Sequence, residues 1–170
     1  VRHPYLKNIF DTYRSYGRIV SVSPFMNHVN RGSLARPFSI AHEKFVPCQN
    51  VIDPLEIQRL AAQPLDDDLA PWFEAMPCFM TMGRLSPEKD HAKLLRAFKA
   101  IVADHPQVRL VIVGDGFLRH ALQALVDELG LRHAVLLAGQ RGNPFPALAR
   151  AHCFVLPSNH EGQPMVLLEA

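Results

Sequence analysis

The sequence predicts the α/β fold class, and two observations lead to that prediction. From residue 77 onward, short apolar runs typical of buried strands alternate with longer segments whose apolar residues recur at helical spacing. Each strand-like run ends in glycine or in a polar loop. Strand, loop and helix repeated in this order form βαβ units, which build parallel sheets with right-handed crossovers.

The first repeat begins with a strand over residues 78–82, which stops at Gly83. A helix follows whose apolar residues have the spacing of one buried face. They are Leu94, Leu95, Phe98, Ile101 and Val102. The β-branched run over residues 108–113 predicts the second strand, and it ends in Gly114-Asp115-Gly116. Both strands therefore bring a glycine-containing turn to the same end of the sheet.

The second repeat follows the same pattern. Its helix stops at Gly130, a residue suited to the left-handed position after a helix. The apolar stripe of this helix consists of Leu118, Leu122, Leu125, Val126 and Leu129. Residues 134–138 predict the third strand, which ends in Gly139. A short helix is predicted to start at Asn143 as N-cap and Pro144 as first helical residue.

The fourth strand is predicted over residues 152–156, ahead of a polar loop. All four strands are nearly uniformly apolar, as expected when helices cover both faces of a sheet. We therefore predict a Rossmann-like parallel sheet with helices on both faces. In such sheets, ligands bind beyond the carboxyl ends of the strands, so the polar loops are expected to meet at one edge.

The first seventy residues show a different pattern. Residues 5–16 predict a helix that ends before Gly17, residues 18–22 predict a strand, and residues 45–52 predict an extended segment. Two more helices are predicted to start at residues that favour the N-cap and first helical positions. These pairs are Ser23-Pro24 and Asp53-Pro54.

The segment over residues 63–71 predicts a loop or linker, because it contains three consecutive aspartates and two prolines. We interpret residues 1–70 as the tail of a preceding domain plus an interdomain connector. Residues 71–170 then form a βα domain that is cut short at its C-terminus.

Bulk composition excludes several function classes. Apolar residues make up 48% of the chain and charged residues 20%, which is typical of a folded globular protein. The net charge of +2, without a dense basic run, argues against a nucleic-acid partner. No apolar stretch reaches the roughly 20 residues that a membrane-spanning helix needs.

The cysteines and histidines do not predict a metal site. Cys48, Cys78 and Cys153 are far apart, and we expect them to be structural thiols in a reducing cytoplasm. Nine histidines are scattered without an HExxH motif or a Cys/His ligand spacing. We therefore expect neither a metal nor another cofactor.

Two cations follow the first strand of the predicted sheet. In the segment from Gly83 to Asp90, glycine lets a ligand approach the backbone, and Arg84 and Lys89 lie near the start of the next helix. This combination suits a diphosphate, because hydrogen bonds to charged groups contribute about 1.5–3 kcal/mol each. The alternative is a solvated loop with surface charges.

Two carboxylates follow the fourth strand. Glu161 lies on a polar loop, and Glu169 lies eight residues later in an apolar segment that predicts a helix. The pair fits a general acid/base couple, two acceptors for sugar and ribose hydroxyls, or two unrelated residues. Backbone N–H groups over residues 162–166 would face an anion near the helix N-terminus.

Two other functions are compatible with parts of the sequence. Gly114-Asp115-Gly116 begins a truncated GxGxxG pattern, with Arg119 in place of the third glycine, which a plain strand-to-helix turn explains equally well. An NAD-dependent oxidoreductase would need an acidic residue at the end of the next strand, where Gly139 and Gln140 stand. A non-catalytic module that keeps the fold for interaction is the third hypothesis.

Five ordered segments together resemble the donor-binding domain of retaining group 1 glycosyltransferases, also called family 4, which have the two-domain GT-B fold. The segments are Gly83 to Lys89, Val111 to Gly116, Gly139, Phe154 to Ser158, and Glu161 to Glu169. Asn50-Val51-Ile52-Asp53 resembles the family's connector into its C-terminal domain. The resemblance covers residues 18–170 and depends on the order and spacing of the segments, since no single one is specific.

The resemblance implies a role for each candidate residue. Gly83, Arg84 and Lys89 would hold the donor diphosphate. Glu161 would be the catalytic residue at the reacting face of the sugar, and Glu169 would bind the ribose hydroxyls. Backbone contacts to sugar and phosphate would come from Gly162, Gln163, Pro164, Met165 and Val166. The nucleobase would lie beside Gly114, Gly139, Gln140 and Arg141.

The implied activity is transfer of a sugar from a nucleotide-diphosphate donor, with retention and without a metal, by front-face attack assisted by the leaving diphosphate. The acceptor would be a glycan or lipid-linked molecule held by the N-terminal domain, in the synthesis of cell-surface polysaccharide or glycoconjugate. The intact enzyme would be cytoplasmic, with peripheral association at the inner face of the membrane.

Two departures from the family pattern have consequences. Gln163-Pro164-Met165 replaces the family's usual aromatic residue and glycine, which predicts an altered sugar choice. The N-terminal acceptor domain is nearly absent from the sequence. Since the chemistry takes place between two domains, this chain is expected to bind a donor weakly and to turn over little or nothing.

Overall fold

Two parallel sheets organise the chain in the computed structural model, which describes residues 10–74 and 77–170. Contacts divide the chain into two compact units. The first unit ends at Ile52 and also includes Gly162–Met165, and the second comprises Asp53–Glu161 and Val166–Ala170. This division falls earlier in the chain than the boundary we predicted at residue 70. The assignment of the N-terminal segment to an acceptor domain stays a prediction.

The first unit holds a two-stranded sheet, in which β1 (Ile19–Ser21) pairs in parallel with β2 (Phe45–Pro47). Helix α1 (Pro24–Leu34) lies between these strands in sequence and begins as predicted. The Ser23 hydroxyl accepts a hydrogen bond from the Met26 N–H at 3.1 Å, which satisfies one of the free donors of the first turn. The core of this unit consists of Ala35, Phe38, Ile40 and Phe45.

The helix predicted over residues 5–16 lies partly outside the described residues. Residues 10–12 are helical and lead into a short 3-10 helix at Tyr13–Ser15, so the described part ends before Gly17 as predicted. A second 3-10 helix at His42–Lys44 leads directly into β2.

A four-stranded parallel sheet forms the centre of the second unit. Its strands are β3 (Cys78–Met82), β4 (Arg109–Val113), β5 (Val135–Gly139) and β6 (Cys153–Phe154). The spatial order is β5-β4-β3-β6, and every neighbouring pair is parallel. All four predicted strands are present, although β6 is shorter than the predicted span over residues 152–156.

Helices connect and flank these strands. They are α2 (Pro54–Ala61), α3 (Ala70–Glu74), α4 (His91–Asp104), α5 (Arg119–Glu128), α6 (Phe145–Arg150) and α7 (Met165–Glu169). Helix α2 starts at the predicted cap, since the Asp53 carboxylate accepts hydrogen bonds from the N–H groups of Leu55 and Glu56. Gly130, at φ +68°, takes the left-handed conformation just beyond α5, as its position predicted.

Alternate residues of β4 point to opposite faces of the sheet. Leu110 and Ile112 belong to one hydrophobic core, together with buried residues of α4 and α5. Val111 and Val113 belong to the other core, together with residues of α3 and α6. Helices therefore cover both faces, which confirms the predicted fold class.

Residues 63–69 form a loop, as predicted, and only the last two residues of the predicted segment belong to a helix. Leu69 is only 2% exposed, and α3 begins at Ala70 with Pro71 in its first turn. Leu69 and Phe73 both lie in the core on one face of the sheet. Proline is compatible with the first turn of a helix, because the N–H that it lacks would have no helical partner there. From the prolines and aspartates alone, neither the burial of the turn at Leu69 nor the short helix could be predicted.

Helix α6 starts one residue later than predicted. Pro144 is the N-cap, and the side-chain oxygen of Asn143 accepts a hydrogen bond from the Phe145 N–H at 3.2 Å. The Asn143 amide group also donates to the Leu60 carbonyl and to the Gln63 side chain, both at 2.9 Å. Asn143 thus satisfies a free donor as expected, and it also joins α6 to the end of α2.

Candidate functional site

The loops that follow β3, β4 and β5 enclose a pocket of about 400 Å³ at the carboxyl edge of the larger sheet. Its lining residues are Met82, Gly83, Arg84, Val113, Gly114, Asp115, Gln140, Arg141 and Pro144. Three loops that are far apart in sequence meet here because their strands are neighbours and run in the same direction. The convergence predicted for these polar motifs is confirmed.

Close backbone contacts explain why glycine occupies the turn after β4. Gly114 has φ +134°, and a Cβ atom added there would lie 2.0 Å from the Gly83 carbonyl oxygen. Gly116 is equally confined, since a Cβ atom there would lie 2.5 Å from the Leu85 carbonyl oxygen. Glycine at both positions therefore allows the loop after β4 to pack closely against the loop after β3.

Main-chain hydrogen bonds join the three loops. The Gly83 N–H donates to the Val113 carbonyl at 2.9 Å, and the Leu85 N–H donates to the Asp115 carbonyl at 3.0 Å. On the other side, the Gly114 N–H donates to the Gly139 carbonyl at 2.8 Å. Main-chain hydrogen bonds thus hold the three loops that line the pocket against one another.

The two predicted diphosphate ligands differ in their surroundings. Arg84 is exposed and lines the pocket, and its guanidinium makes no hydrogen bond or ion pair with any residue of the described chain. Lys89 lies at the end of a 3-10 helix, Pro87–Lys89, and its Nζ atom lies 2.5 Å from Oε1 of Glu161. The Lys89 stem passes beside Gly83, where an added Cβ atom would be 3.6 Å from it. One cation is therefore free to bind a ligand, and the other is paired.

The loop that carries Glu161 is hydrogen-bonded to the turn after β3. The Asn159 N–H donates to the Glu88 carbonyl at 2.9 Å, and the Asn159 amide group donates to the Asp90 carboxylate at 2.9 Å. These bonds fasten the loop after β6 to the turn after β3, which is the neighbouring strand. Sequence reasoning missed both Asn159 and Asp90. Asp90 precedes a predicted helix and caps α4, and that position was the available signal.

The environment of Glu161 keeps its carboxylate charged. Partial burial works against the charged form, but the hydrogen bond from Lys89 and the positive charge of Lys89 outweigh it. The pKa of Glu161 therefore lies below its ordinary value. At neutral pH the pair consists of an ammonium and a carboxylate.

Glu169 lies at the end of α7 and is half-buried. Its side chain makes no hydrogen bond or ion pair within residues 10–74 and 77–170. Its assignment to a ribose stays a prediction, as do the backbone contacts assigned to residues 162–166.

The residues between the two glutamates are anchored within the first unit. The Gln163 side-chain oxygen accepts a hydrogen bond from the Asn50 N–H at 2.8 Å, and its amide nitrogen donates to the Asn50 carbonyl at 3.4 Å. Gly162 lies close to Val22, since an added Cβ atom would be 3.2 Å from that side chain. Gln163, singled out as a departure from the family pattern, therefore binds the main chain of the predicted connector.

Arg141 lines the pocket, but its guanidinium is bonded to other residues of the chain. It bonds to Asp66, to Asp68 and to the Ala138 carbonyl. Sequence reasoning missed both aspartates, because they lie in the segment predicted as a linker. No local pattern connects residues 66–68 with a loop more than seventy residues away.

Two further observations concern ligands and membranes. In the described part of the chain, no three side chains of His, Cys, Asp or Glu come together as a group able to hold a metal ion. Among the same residues, no helix has the length and apolar character that crossing a membrane requires.

Comparison with known proteins places this site in a family. Residues 69–170 match the family described as "Glycosyl transferases group 1". An uncharacterized glycosyltransferase of Methanocaldococcus jannaschii is 31% identical over 166 residues, which cover 98% of this chain and 41% of that protein. A Campylobacter jejuni enzyme is 33% identical over 142 residues, which cover 83% of this chain and 36% of the enzyme. Its name is N-acetylgalactosamine-N,N'-diacetylbacillosaminyl-diphospho-undecaprenol 4-alpha-N-acetylgalactosaminyltransferase.

A solved structure shows the same fold. The pneumococcal O-GlcNAc transferase GtfA, in complex with UDP and GlcNAc, has a TM-score of 0.74 to this chain at 17% identity. The match covers 99% of this chain and 31% of GtfA. The chain thus spans less than half the length of each of these three proteins.

These matches confirm the resemblance to group 1 glycosyltransferases, whereas retention and membership of family 4 stay predictions. The matches give no support to the NAD-dependent oxidoreductase hypothesis. The fold corresponds to the C-terminal domain of GT-B glycosyltransferases. With the family match over residues 69–170, more than half of its length, the chain belongs to the group 1 glycosyl transferases.

Proposed function

We propose that this chain is the donor-binding part of a retaining, family 4 glycosyltransferase and that its pocket takes a nucleotide-diphosphate sugar. The observation that carries the proposal is the exposed Arg84 guanidinium, which has no bonding partner among the described residues and lies at a pocket whose loops are joined by main-chain hydrogen bonds. Such a site can offer a cation to a diphosphate and main-chain groups to the rest of the nucleotide. The UDP and sugar present in the GtfA complex support the same class of ligand.

The residues divide the donor between them. Arg84, Lys89 and the main chain of Gly83 bind the diphosphate, and Gly114, Gly139 and Gln140 border the nucleobase. Glu161 acts at the reacting face of the sugar, and Glu169 binds the ribose hydroxyls. No metal takes part, because the two cations neutralise the charge that develops on the leaving diphosphate.

The rest of the reaction belongs to the whole protein. The acceptor, a glycan or a lipid-linked glycan, binds to an N-terminal domain, and the sugar is transferred with retention. The name of the Campylobacter jejuni relative includes a diphospho-undecaprenol, which supports a lipid-linked acceptor and a place in cell-surface glycan synthesis. With such an acceptor, the whole enzyme acts in the cytoplasm and associates peripherally with the inner face of a membrane.

Isothermal titration with UDP, GDP, ADP and CDP sugars tests the donor site. One of the four should bind, with the same affinity in the presence of EDTA, and Arg84→Ala should weaken it by about 10-fold or more. Arg96→Ala, an exposed arginine on α4 outside this pocket, is the matched control and should leave affinity unchanged. Absence of binding by all four sugars would overturn the proposal. Quenching of Trp72 fluorescence by NAD alone would favour the oxidoreductase hypothesis instead.

A further inference from the structure

The guanidinium of Arg141 has all of its donors in use. An arginine side chain carries five N–H donors. The Nε atom donates to the Ala138 carbonyl at 3.1 Å, and Nη2 donates to the same carbonyl at 2.7 Å. The Nη1 atom donates to Asp66 at 3.0 Å and to Asp68 at 2.9 Å, and Nη2 donates to the second Asp68 oxygen at 2.6 Å. No donor is left for a nucleotide.

Arg141 joins two parts of the fold that the pocket needs. Ala138 precedes Gly139, which has φ +76°, and Gln140, which lines the pocket. The aspartates immediately precede Leu69, which is 2% exposed in the core. The guanidinium therefore fastens the turn after β5 to a segment that is itself fixed by burial.

The charges around Arg141 argue against a role as phosphate ligand. Two carboxylates surround one guanidinium, so the cluster as a whole is negative. Only 17% of the Arg141 side chain is exposed, whereas Asp66 and Asp68 keep 50% and 62% of their exposure. The hydrogen bond from Arg141 holds the pKa of Asp68 below its ordinary value, so that this carboxylate stays charged at neutral pH.

We propose that Arg141 is a positioning residue and that Asp66 and Asp68 act through it to hold Gly139 and Gln140 at the nucleobase end of the pocket. The inference deepens the proposed function and rests on it, since it concerns the same pocket. Base discrimination then comes from Gln140 and the neighbouring main chain. Arg141 itself contacts no part of the nucleotide sugar.

The test uses a substitution for which positioning and direct binding predict opposite signs. Asp68→Asn removes the negative charge and one of the two oxygens that accept from Arg141, so positioning predicts that the preferred nucleoside diphosphate binds at least about five-fold more weakly. The ratio between the affinity for the preferred nucleotide and the affinities for the nucleotides with the other three bases should also become smaller. If Arg141 were a phosphate ligand, removing a competing carboxylate would instead strengthen binding. Asp67→Asn removes the same charge from a residue that has no bond to Arg141, and it should change affinity by less than two-fold.

A second variant and a second ligand complete the test. Arg141→Lys keeps the positive charge but removes the planar guanidinium with its five N–H donors. It should reproduce the loss of base preference and leave the affinity for inorganic pyrophosphate unchanged. Tighter or unchanged nucleotide binding by Asp68→Asn would overturn the inference, as would a loss of pyrophosphate affinity in Arg141→Lys. If Asp68→Asn does not fold, as judged by its melting curve, Arg141→Lys decides alone. A wild-type protein that binds none of the four nucleotides would instead overturn the proposed function.

Discussion

Lys89 and Glu161 are 72 residues apart in sequence, yet the Lys89 Nζ atom lies 2.5 Å from a Glu161 carboxylate oxygen. Each side chain is only 22% exposed, so the pair is partly shielded from water. The cation proposed for the diphosphate and the carboxylate proposed for the sugar are thus bound to each other. A diphosphate that binds Lys89 has to compete with Glu161 for the same ammonium group.

This competition predicts opposite effects for the two glutamates. Glu161→Gln removes the charge that competes for Lys89, so nucleotide affinity should be unchanged or higher, while turnover of the whole protein falls by about 100-fold or more. Glu169→Gln should instead weaken nucleotide binding by about five-fold through the lost ribose contact. Titration calorimetry and a sugar-transfer assay measure the two quantities. Weaker nucleotide binding by Glu161→Gln would show that its main role is in donor affinity.

The Lys89–Glu161 pair also predicts an acid-dependent part of the free energy of unfolding. Because the pKa of Glu161 is lowered in the folded chain, the pair stabilises the fold above the unfolded pKa of about 4.3. That stabilisation is lost as the pH falls through the lowered folded pKa. Lys89→Met should therefore destabilise the chain more at about pH 7 than at about pH 3, as measured by urea unfolding. An equal difference at both pH values would exclude an electrostatic origin.

Gly114→Ala should destabilise the chain strongly. Its left-handed backbone and the predicted 2.0 Å approach of an added Cβ atom to the Gly83 carbonyl require the two loops to separate. We expect a loss of about 3 kcal/mol or more in urea unfolding, together with loss of nucleotide binding. Gly142→Ala is the control, because nothing lies within 4 Å of an added Cβ atom there, and its effect should stay within about 0.5 kcal/mol. Similar effects at both glycines would contradict the close approach.

Gln163→Ala should loosen the main chain at Asn50. The substitution removes both hydrogen bonds to that residue, and each is worth about 1 kcal/mol. Hydrogen exchange of the Asn50 amide should become faster, because its acceptor is the lost side-chain oxygen. Gln58→Ala removes an exposed glutamine from α2 and should leave that exchange rate unchanged. Unchanged exchange in Gln163→Ala would mean that the pairing does not persist in solution.

The three cysteines should differ in their reactivity toward a thiol reagent. Cys48 and Cys153 are exposed, whereas Cys78 is fully buried in β3. Burial raises the pKa of Cys78 to about 11, despite the opposing charge of Arg109, so little thiolate forms near neutral pH. Two thiols per chain should react at about pH 8 in the native protein, and the third only after denaturation. Rapid reaction of all three would contradict the burial of Cys78.

Local patterns were sufficient for the architecture of the larger unit. Strand β4 is apolar at every position but Arg109 because both of its faces are covered, and this run is visible without a structure. The helix starts at Ser23 and Asp53 were likewise predictable, because a capping side chain bonds to N–H groups only two or three residues away. Residues 63–69 form the predicted loop, but the burial of Leu69 and the helix that starts at Ala70 were not predicted, because one apolar residue next to prolines and aspartates has no periodicity of its own.

The sequence by itself determined the fold class, the family and the edge of the sheet where the ligand-binding loops meet. These depend on periodicity, capping and the order of motifs, all of which act over a few residues at a time. Only the tertiary structure decided the long-range contacts: Lys89 with Glu161, Arg141 with Asp68, and the Gln163 side chain with the Asn50 main chain. Such pairs form between loops that the strand order and the packing bring together, and no short-range preference of the chain records that meeting. The partners of these residues therefore became visible only in three dimensions.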